Sequence, residues 1–191
     1  MYESSPDPYC YPGTNVLKNR LGLREQAQLD AFETLITAQR SEEPFPRGRL
    51  GYAHYRAIHR HLFQDVFDWA GRLRTVRIAK AGSMFCYPEH IGGEMRSLFA
   101  RLDAQNFLRG LAPADFARRA AHVLAELNAI HPFREGNGRT QLSYLALLAD
   151  NAGHPLALER MEPAAMLAAT VESFRGDEKP LAFLIAGLIG A

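Results

Sequence analysis

Cysteine is scarce in this chain: Cys10 and Cys86 are the only two. Two thiols cannot build a disulfide framework, so the fold has to rest on an apolar core, with both thiols free in a reducing compartment. An excess of one charge is also missing. Lys and Arg number 22 and Asp and Glu 21, for a formal net charge of +1. Nothing in that balance argues for a nucleic-acid-binding tail or a polybasic membrane patch. No apolar run is long. The most apolar stretch, LAFLIAGLIGA from Leu181 to Ala191, falls well short of the roughly 20 residues that cross a bilayer. The N-terminal MYESSPDPYCYPG has neither a basic nor an apolar region, so it does not read as a secretory signal. There is no internal repeat and no low-complexity tract. These absences point to a soluble cytoplasmic protein of one domain, residues 1–191, with no membrane and no direct nucleic-acid partner. Its 47% apolar content is enough for a sizeable core.

The periodicity of that apolar content is mostly helical. Turn formers crowd the segment before Leu23. Leu29, Phe32, Leu35 and Ile36 then predict a helix over Arg24–Gln39, broken by SEEPFPRG from Ser41. Tyr52, Tyr55, Ile58, His59 and Leu62 predict a second, over about Leu50–Phe63. The character changes at RLRTVRIAKAGSMFCYP, where β-formers Leu73, Val76 and Ile78 precede a turn at Ala81-Gly82-Ser83, a short hairpin. Further helices are expected over about His90–Gln105, Ala114–Ile130 (with Pro113 at its start), Gly136–Asn151, Pro163–Phe174 and Lys179–Gly190. The reading is an all-α fold of about seven or eight helices with one small β-hairpin.

The chemistry concentrates in HPFREGNGRT, His131 to Thr140, which joins two of these helices. Gly136, Asn137 and Gly138 can turn tightly and gather backbone N–H groups at a helix N-terminus, an anion site suited to phosphate. Arg139, in the first turn, can fork onto a phosphate oxygen. Glu135 would repel a bare phosphate and makes sense where a hard cation such as Mg²⁺ bridges the two. His131 titrates near neutrality and can accept a proton from an attacking hydroxyl. Base, metal ligand, anion nest and phosphate-binding Arg together describe phosphoryl-type transfer. A lone GNG is merely a turn. The full pattern would arise by chance in a chain this long with a probability of about 10⁻⁶.

The segment resembles the Fic family signature H-x-F-x-[DE]-G-N-G-R-x-x-R. The likeness extends to YPGTNVLKNRLGL (Tyr11 to Leu23), HLFQDVFDWAGRLRTV (His61 to Val76) and IAKAGSMFCYPEHI (Ile78 to Ile91), as in stand-alone bacterial Fic toxins and the Fic domains of injected effectors. The resemblance implies a Fic fold with core helices about 50–174, a flap about 73–88 and a motif loop at 131–139. It implies a protein adenylyltransferase that moves AMP from ATP onto a Ser, Thr or Tyr hydroxyl. His131 would be the general base, Phe133 the loop's anchor, and Glu135 the ligand of Mg²⁺ or Mn²⁺. Gly136, Asn137, Gly138 and Arg139 would hold the nucleotide's phosphates. The flap residues Lys80, Ala81, Gly82, Ser83, Met84 and Phe85 would dock the target by strand pairing. The implied partners are a protein substrate, gyrase or topoisomerase IV for stand-alone toxins, and a small antitoxin bearing an inhibitory glutamate helix. Delivery into a target cell as an effector is the alternative location.

One position departs from the signature. The family's last Arg, three residues after Arg139, is Leu142 here. In the family that Arg meets the γ-phosphate and pairs with the inhibitory glutamate of [ST]-x-x-x-E-[GN]. No Ser or Thr of this chain has Glu four residues later, so inhibition would come from a separate protein. A three-residue step places 139 and 142 on one helix face, and an Arg at 142 would reach the distal phosphate. Leu142 therefore leaves open an attenuated domain that binds its antitoxin or target, or one that transfers a different phosphate-linked group. Gly138 argues against a kinase variant, which in the family this chain resembles usually has Lys at that position. His54, His59 and His61 share a helix without HExxH spacing and read as half-buried packing histidines rather than a zinc site. Trp69 reads as core beneath the flap. Cys86, near the flap, lacks an evident activating partner for a catalytic thiol.

Overall fold

The structure, a computed structural model, describes residues 7–80 and 83–190. Seven α-helices are present among them: α1 Gln26–Glu42, α2 Tyr52–Phe63, α3 Pro88–Ala104, α4 Pro113–Ile130, α5 Asn137–Ala152, α6 Pro163–Phe174 and α7 Lys179–Leu188. Between α2 and α3 stands the hairpin, β1 Ala79–Lys80 and β2 Ser83–Met84. It is antiparallel, with Ala79 opposite Met84 and Lys80 opposite Ser83. Its tip, Ala81 and Gly82, lies outside the described residues. None of these helices is long and apolar enough to cross a membrane.

Proline sets several starts. Pro88, Pro113 and Pro163 each open a helix where the missing N–H costs nothing and φ is already helical. The Pro88 start draws α3 two residues forward of the expected His90. At the other end of α5, Gly153 takes the left-handed φ of +82° that closes a helix. α1 runs past the expected break at Ser41 as far as Glu42 and stops before Pro44, whose ring would clash with a continuing helix.

The longest helix, α4, is the central column. Phe116, Ala120, Val123, Leu127 and Ile130 are buried along it, and it packs against α3, α5, α6 and α7. On the far side α2 joins α1 to α5. Between α2 and α5 lies a cluster of rings: Tyr55 meets Phe99, Phe133 and Tyr144 at centroid distances of 5.6, 5.7 and 5.3 Å. Tyr144 also donates its hydroxyl to the Leu50 carbonyl at 2.6 Å, which fixes α5 to the entry of α2. Phe133 is fully buried, so truncating it would cost about 3–5 kcal/mol in lost transfer energy and cavity. The motif loop is thus pinned from beneath by one ring, while His131, Arg134, Glu135 and Arg139 stay partly exposed at the rim.

Candidate active site

The α4 helix ends at His131, whose backbone is left-handed with φ +48° and ψ +63°. That conformation is uncommon outside glycine, and here it is held on several sides. The His131 N–H donates to Leu127 O at 2.9 Å. Its carbonyl accepts from Arg74 Nε at 2.7 Å. Its ring lies flat on Phe85, centroids 3.9 Å apart and 13° between planes. Phe85 directly follows β2, so the flap stem and the expected base touch.

Arg74 is the agent of this arrangement. It is 2% exposed and donates to four carbonyls: His131 at 2.7 Å, Val76 at 2.6 Å, Cys86 at 2.5 Å and Ile130 at 3.2 Å. Its own N–H reaches Pro132 O at 2.9 Å. Burial lowers its pKa. The carbonyls of Ile130 and its cap His131, which a helix end leaves without an N–H donor, are therefore satisfied by one side chain shared with the flap stem.

Beyond Phe133 the loop turns through Gly136, φ +80°, into α5. A Cβ on Gly136 would lie 2.3 Å from the Phe63 ring, so only glycine fits. The Asn137 side chain accepts from Phe133 N–H at 3.0 Å and donates to Phe133 O at 2.8 Å. It braces the loop, leaving only its backbone N–H for an anion. Gly138 faces open space, with nothing within 4 Å of a Cβ placed there. Glu135 is half exposed, and one of its carboxylate oxygens accepts the Gly136 N–H at 2.8 Å. No group of three or more His, Cys, Asp or Glu among the described residues is arranged for a metal. A cation here would depend on a substrate's own oxygens. One carboxylate beside a helix N-terminus suits magnesium, which takes one or two carboxylates together with phosphates.

Arg139 and Leu142 diverge, contrary to the shared face that their spacing predicts. A three-residue step leaves about 60° between side chains, and different neighbours occupy the two sides. Arg139 turns toward α1, where it pairs with Glu33 and donates to Thr37 Oγ1 at 3.1 Å. Leu142 lines a cavity of about 440 Å³ that also touches His131, Phe85, Gly138, Gln141, Phe174 and Arg175. The walls are mainly apolar. Gln141 is 6% exposed, and its Nε2 has no hydrogen-bond partner among the described residues. Arg134 is committed elsewhere, to Asp7 at 2.8 Å.

The three helix histidines are structural. His54 bridges Leu50 N–H and Pro46 O, and His61 meets Arg40 O at 2.7 Å. His59 supports the motif loop directly: Nδ1 accepts Gly71 N–H at 2.8 Å and Nε2 contacts Glu135 O at 3.0 Å. Only the tautomer with a proton on Nε2 satisfies both. Burial lowers its pKa to about 3. Trp69 stacks on Phe67 at 4.3 Å and edges Tyr9. The Cys86 thiol is half-buried and its pKa is raised, chiefly by burial, the reverse of an activated nucleophile.

The sequence matches the Fic/DOC family over residues 49–149, and the chain belongs to that family. A probable protein adenylyltransferase of Sinorhizobium fredii is 50% identical to it over 189 residues, covering 98% of each chain. The protein adenylyltransferase VbhT of Bartonella schoenbuchensis is 38% identical over 187 residues, which is 96% of this chain and 39% of VbhT. Among solved structures, the VirB-translocated effector BepC of Bartonella tribocorum, with bound AMPPNP, superposes at a TM-score of 0.85. It is 27% identical, over 95% of this chain and 96% of that one.

Proposed function

We propose that this member of the Fic/DOC family is a protein adenylyltransferase, transferring AMP from ATP to a Ser, Thr or Tyr hydroxyl of another protein. The observation that carries the reading is the shared cavity: His131, the open face of Gly138 and the first turns of α5 border one space of about 440 Å³, of a size for a nucleoside. The names of the relatives support the same chemistry. His131 takes the proton of the target hydroxyl, whose oxygen bonds to the α-phosphorus as the α–β bridging bond breaks and pyrophosphate leaves. The N–H groups at the start of α5 face the phosphates, with Arg139 beside them. Glu135 would hold Mg²⁺ or Mn²⁺ together with the phosphates, and such an ion neutralises their charge. The Phe85–His131 stack lets a target strand laid on the flap bring its hydroxyl to the base.

Within this reading the domain spans residues 1–191, acts in the cytoplasm as a toxin, and is restrained by an antitoxin. Its targets are the ATPase subunits of gyrase and topoisomerase IV. The apolar wall at Leu142 favours a second reading, an attenuated domain that binds such a partner without efficient turnover. Incubation of the chain with purified topoisomerase ATPase subunits and labelled ATP separates the two. Label from the α-phosphate on the target supports AMP transfer. Label from the γ-phosphate means a kinase, and stable complex formation without label means the binding role.

A further inference from the structure

Arg139 is not free-standing. Its Nη2 pairs with the Glu33 carboxylate, 106 residues earlier in the chain, and its Nη1 donates to Thr37 Oγ1 at 3.1 Å. Both partners belong to α1, one turn apart on the same face. From α2, the Phe63 ring lies 4.8 Å from the guanidinium carbon, a cation–π distance. Two of the five donors of the guanidinium are thereby committed and its plane is fixed on one side by a ring. Glu135 Oε1 sits 3.9 Å from Nη2, so this fixed plane stands at the edge of the motif loop.

We infer that Glu33, assisted by Thr37, is a positioning residue for the nucleotide: it holds the Arg139 guanidinium where the phosphate chain arrives at the start of α5. The inference rests on the assignment of Arg139 to the phosphates made above. The opposite role, a carboxylate that competes with the phosphates for Arg139, fits the burial poorly. The Glu33 side chain is 13% exposed and that of Arg139 39%. If Arg139 swung away to a phosphate, Glu33 would be left as a buried carboxylate without its counter-charge. Burial already raises the Glu33 pKa against the pull of Arg139. The phosphate chain must therefore come to the paired guanidinium. Glu33 also lacks the context of the inhibitory motif, because Thr34 follows it where that motif has Gly or Asn. Glu33, Arg139 and Glu135 together carry one net negative charge, which draws the phosphates in with their cation rather than bare.

The test uses the full chain, with AMPPNP and Mg²⁺ in calorimetry and steady-state AMP transfer alongside. Glu33→Ala should raise the AMPPNP Kd and the ATP KM about tenfold, the cost of one loosened charged hydrogen bond, with kcat changed less than about threefold. Glu33→Gln keeps an acceptor for Nη2 and should recover binding to within about threefold of the parent. Thr37→Val, a milder change that leaves the buried pair intact, should weaken binding by about two- to fivefold. In an Arg139→Ala background, Glu33→Ala should add no further loss. Unchanged or tighter binding by Glu33→Ala and Glu33→Gln, or losses that add independently to that of Arg139→Ala, would overturn the positioning role and leave the nucleotide site standing. Normal AMPPNP binding by Arg139→Ala itself would overturn the phosphate assignment, and the positioning role with it.

Discussion

Acidification should destabilise this protein through a single imidazole. His59 is fully buried, and in its neutral form both ring nitrogens are engaged, one by Gly71 N–H and one by Glu135 O. A second ring proton would displace the Gly71 bond and place a charge among Phe63 and Phe133, whose ring centroids lie 4.8 and 3.7 Å away. The fold therefore holds the pKa at about 3, against the usual 6.5. The sign follows directly. Between these values the unfolded chain binds a proton that the folded chain refuses, so stability falls as pH falls, by roughly 1.4 kcal/mol per unit well below pH 6.5. From pH 7 to pH 5 the loss is about 2 kcal/mol, which for a domain of this size lowers Tm by about 4–8 °C. The comparison is internal, so that any other effect of pH on the chain cancels. His59→Gln keeps an acceptor for Gly71 and a donor for Glu135 but does not titrate. Scanning calorimetry of both proteins at pH 7, 6 and 5 should show the parent losing several degrees more than the variant. Equal losses in the two would refute the reasoning, whatever the absolute Tm of the variant at pH 7.

The remaining expectations concern the motif itself. His131→Ala should lower AMP transfer by about 10²- to 10⁴-fold while AMPPNP binding, followed by calorimetry, stays near that of the parent; near-normal transfer would end its role as base. Glu135→Ala should flatten the dependence of nucleotide affinity on magnesium, and an unchanged magnesium titration would make Glu135 a cap of the loop instead of a ligand. Leu142→Arg places a guanidinium in the cavity wall and should raise the preference for ATP over ADP by roughly 10- to 150-fold. Calorimetry with both nucleotides checks this, and a parent that already prefers ATP by more than about tenfold, with no gain in the variant, rejects it.

Much of this architecture is written locally. Leu29 on α1 and Phe116, Val123 and Leu127 on α4 repeat at helical spacing and are buried where that spacing puts them. The proline at the head of α6 marks its boundary to the residue. The motif loop was likewise legible, because its residues are consecutive and each brings a distinct chemistry. Its supports were not. Arg74 reaches His131 across 57 residues, His59 reaches Glu135 across 76 and Glu33 reaches Arg139 across 106. No period or spacing encodes such a pair. Nothing in the sequence marks Arg74, which stands between Leu73 and Thr75, and His59 reads as packing on a helix face. The supposed common face of residues 139 and 142 failed for a related reason: spacing sets the angle between side chains, but α1 on one side and the cavity on the other decide where each side chain goes.

The four-carbonyl grip of Arg74 bears on how this region opens. The amides of Arg74 and Cys86 are themselves bonded to Pro132 and Ala129, so the flap stem and the end of α4 are sewn together by backbone bonds as well as by the guanidinium. Releasing any one of these segments leaves a buried cation short of acceptors and breaks bonds to the carbonyls it holds. These shared bonds tie the end of the helix and the hairpin stem into one unit, the seam between them. A protein that pulls on the flap stem from outside would loosen the backbone of His131 in the same event.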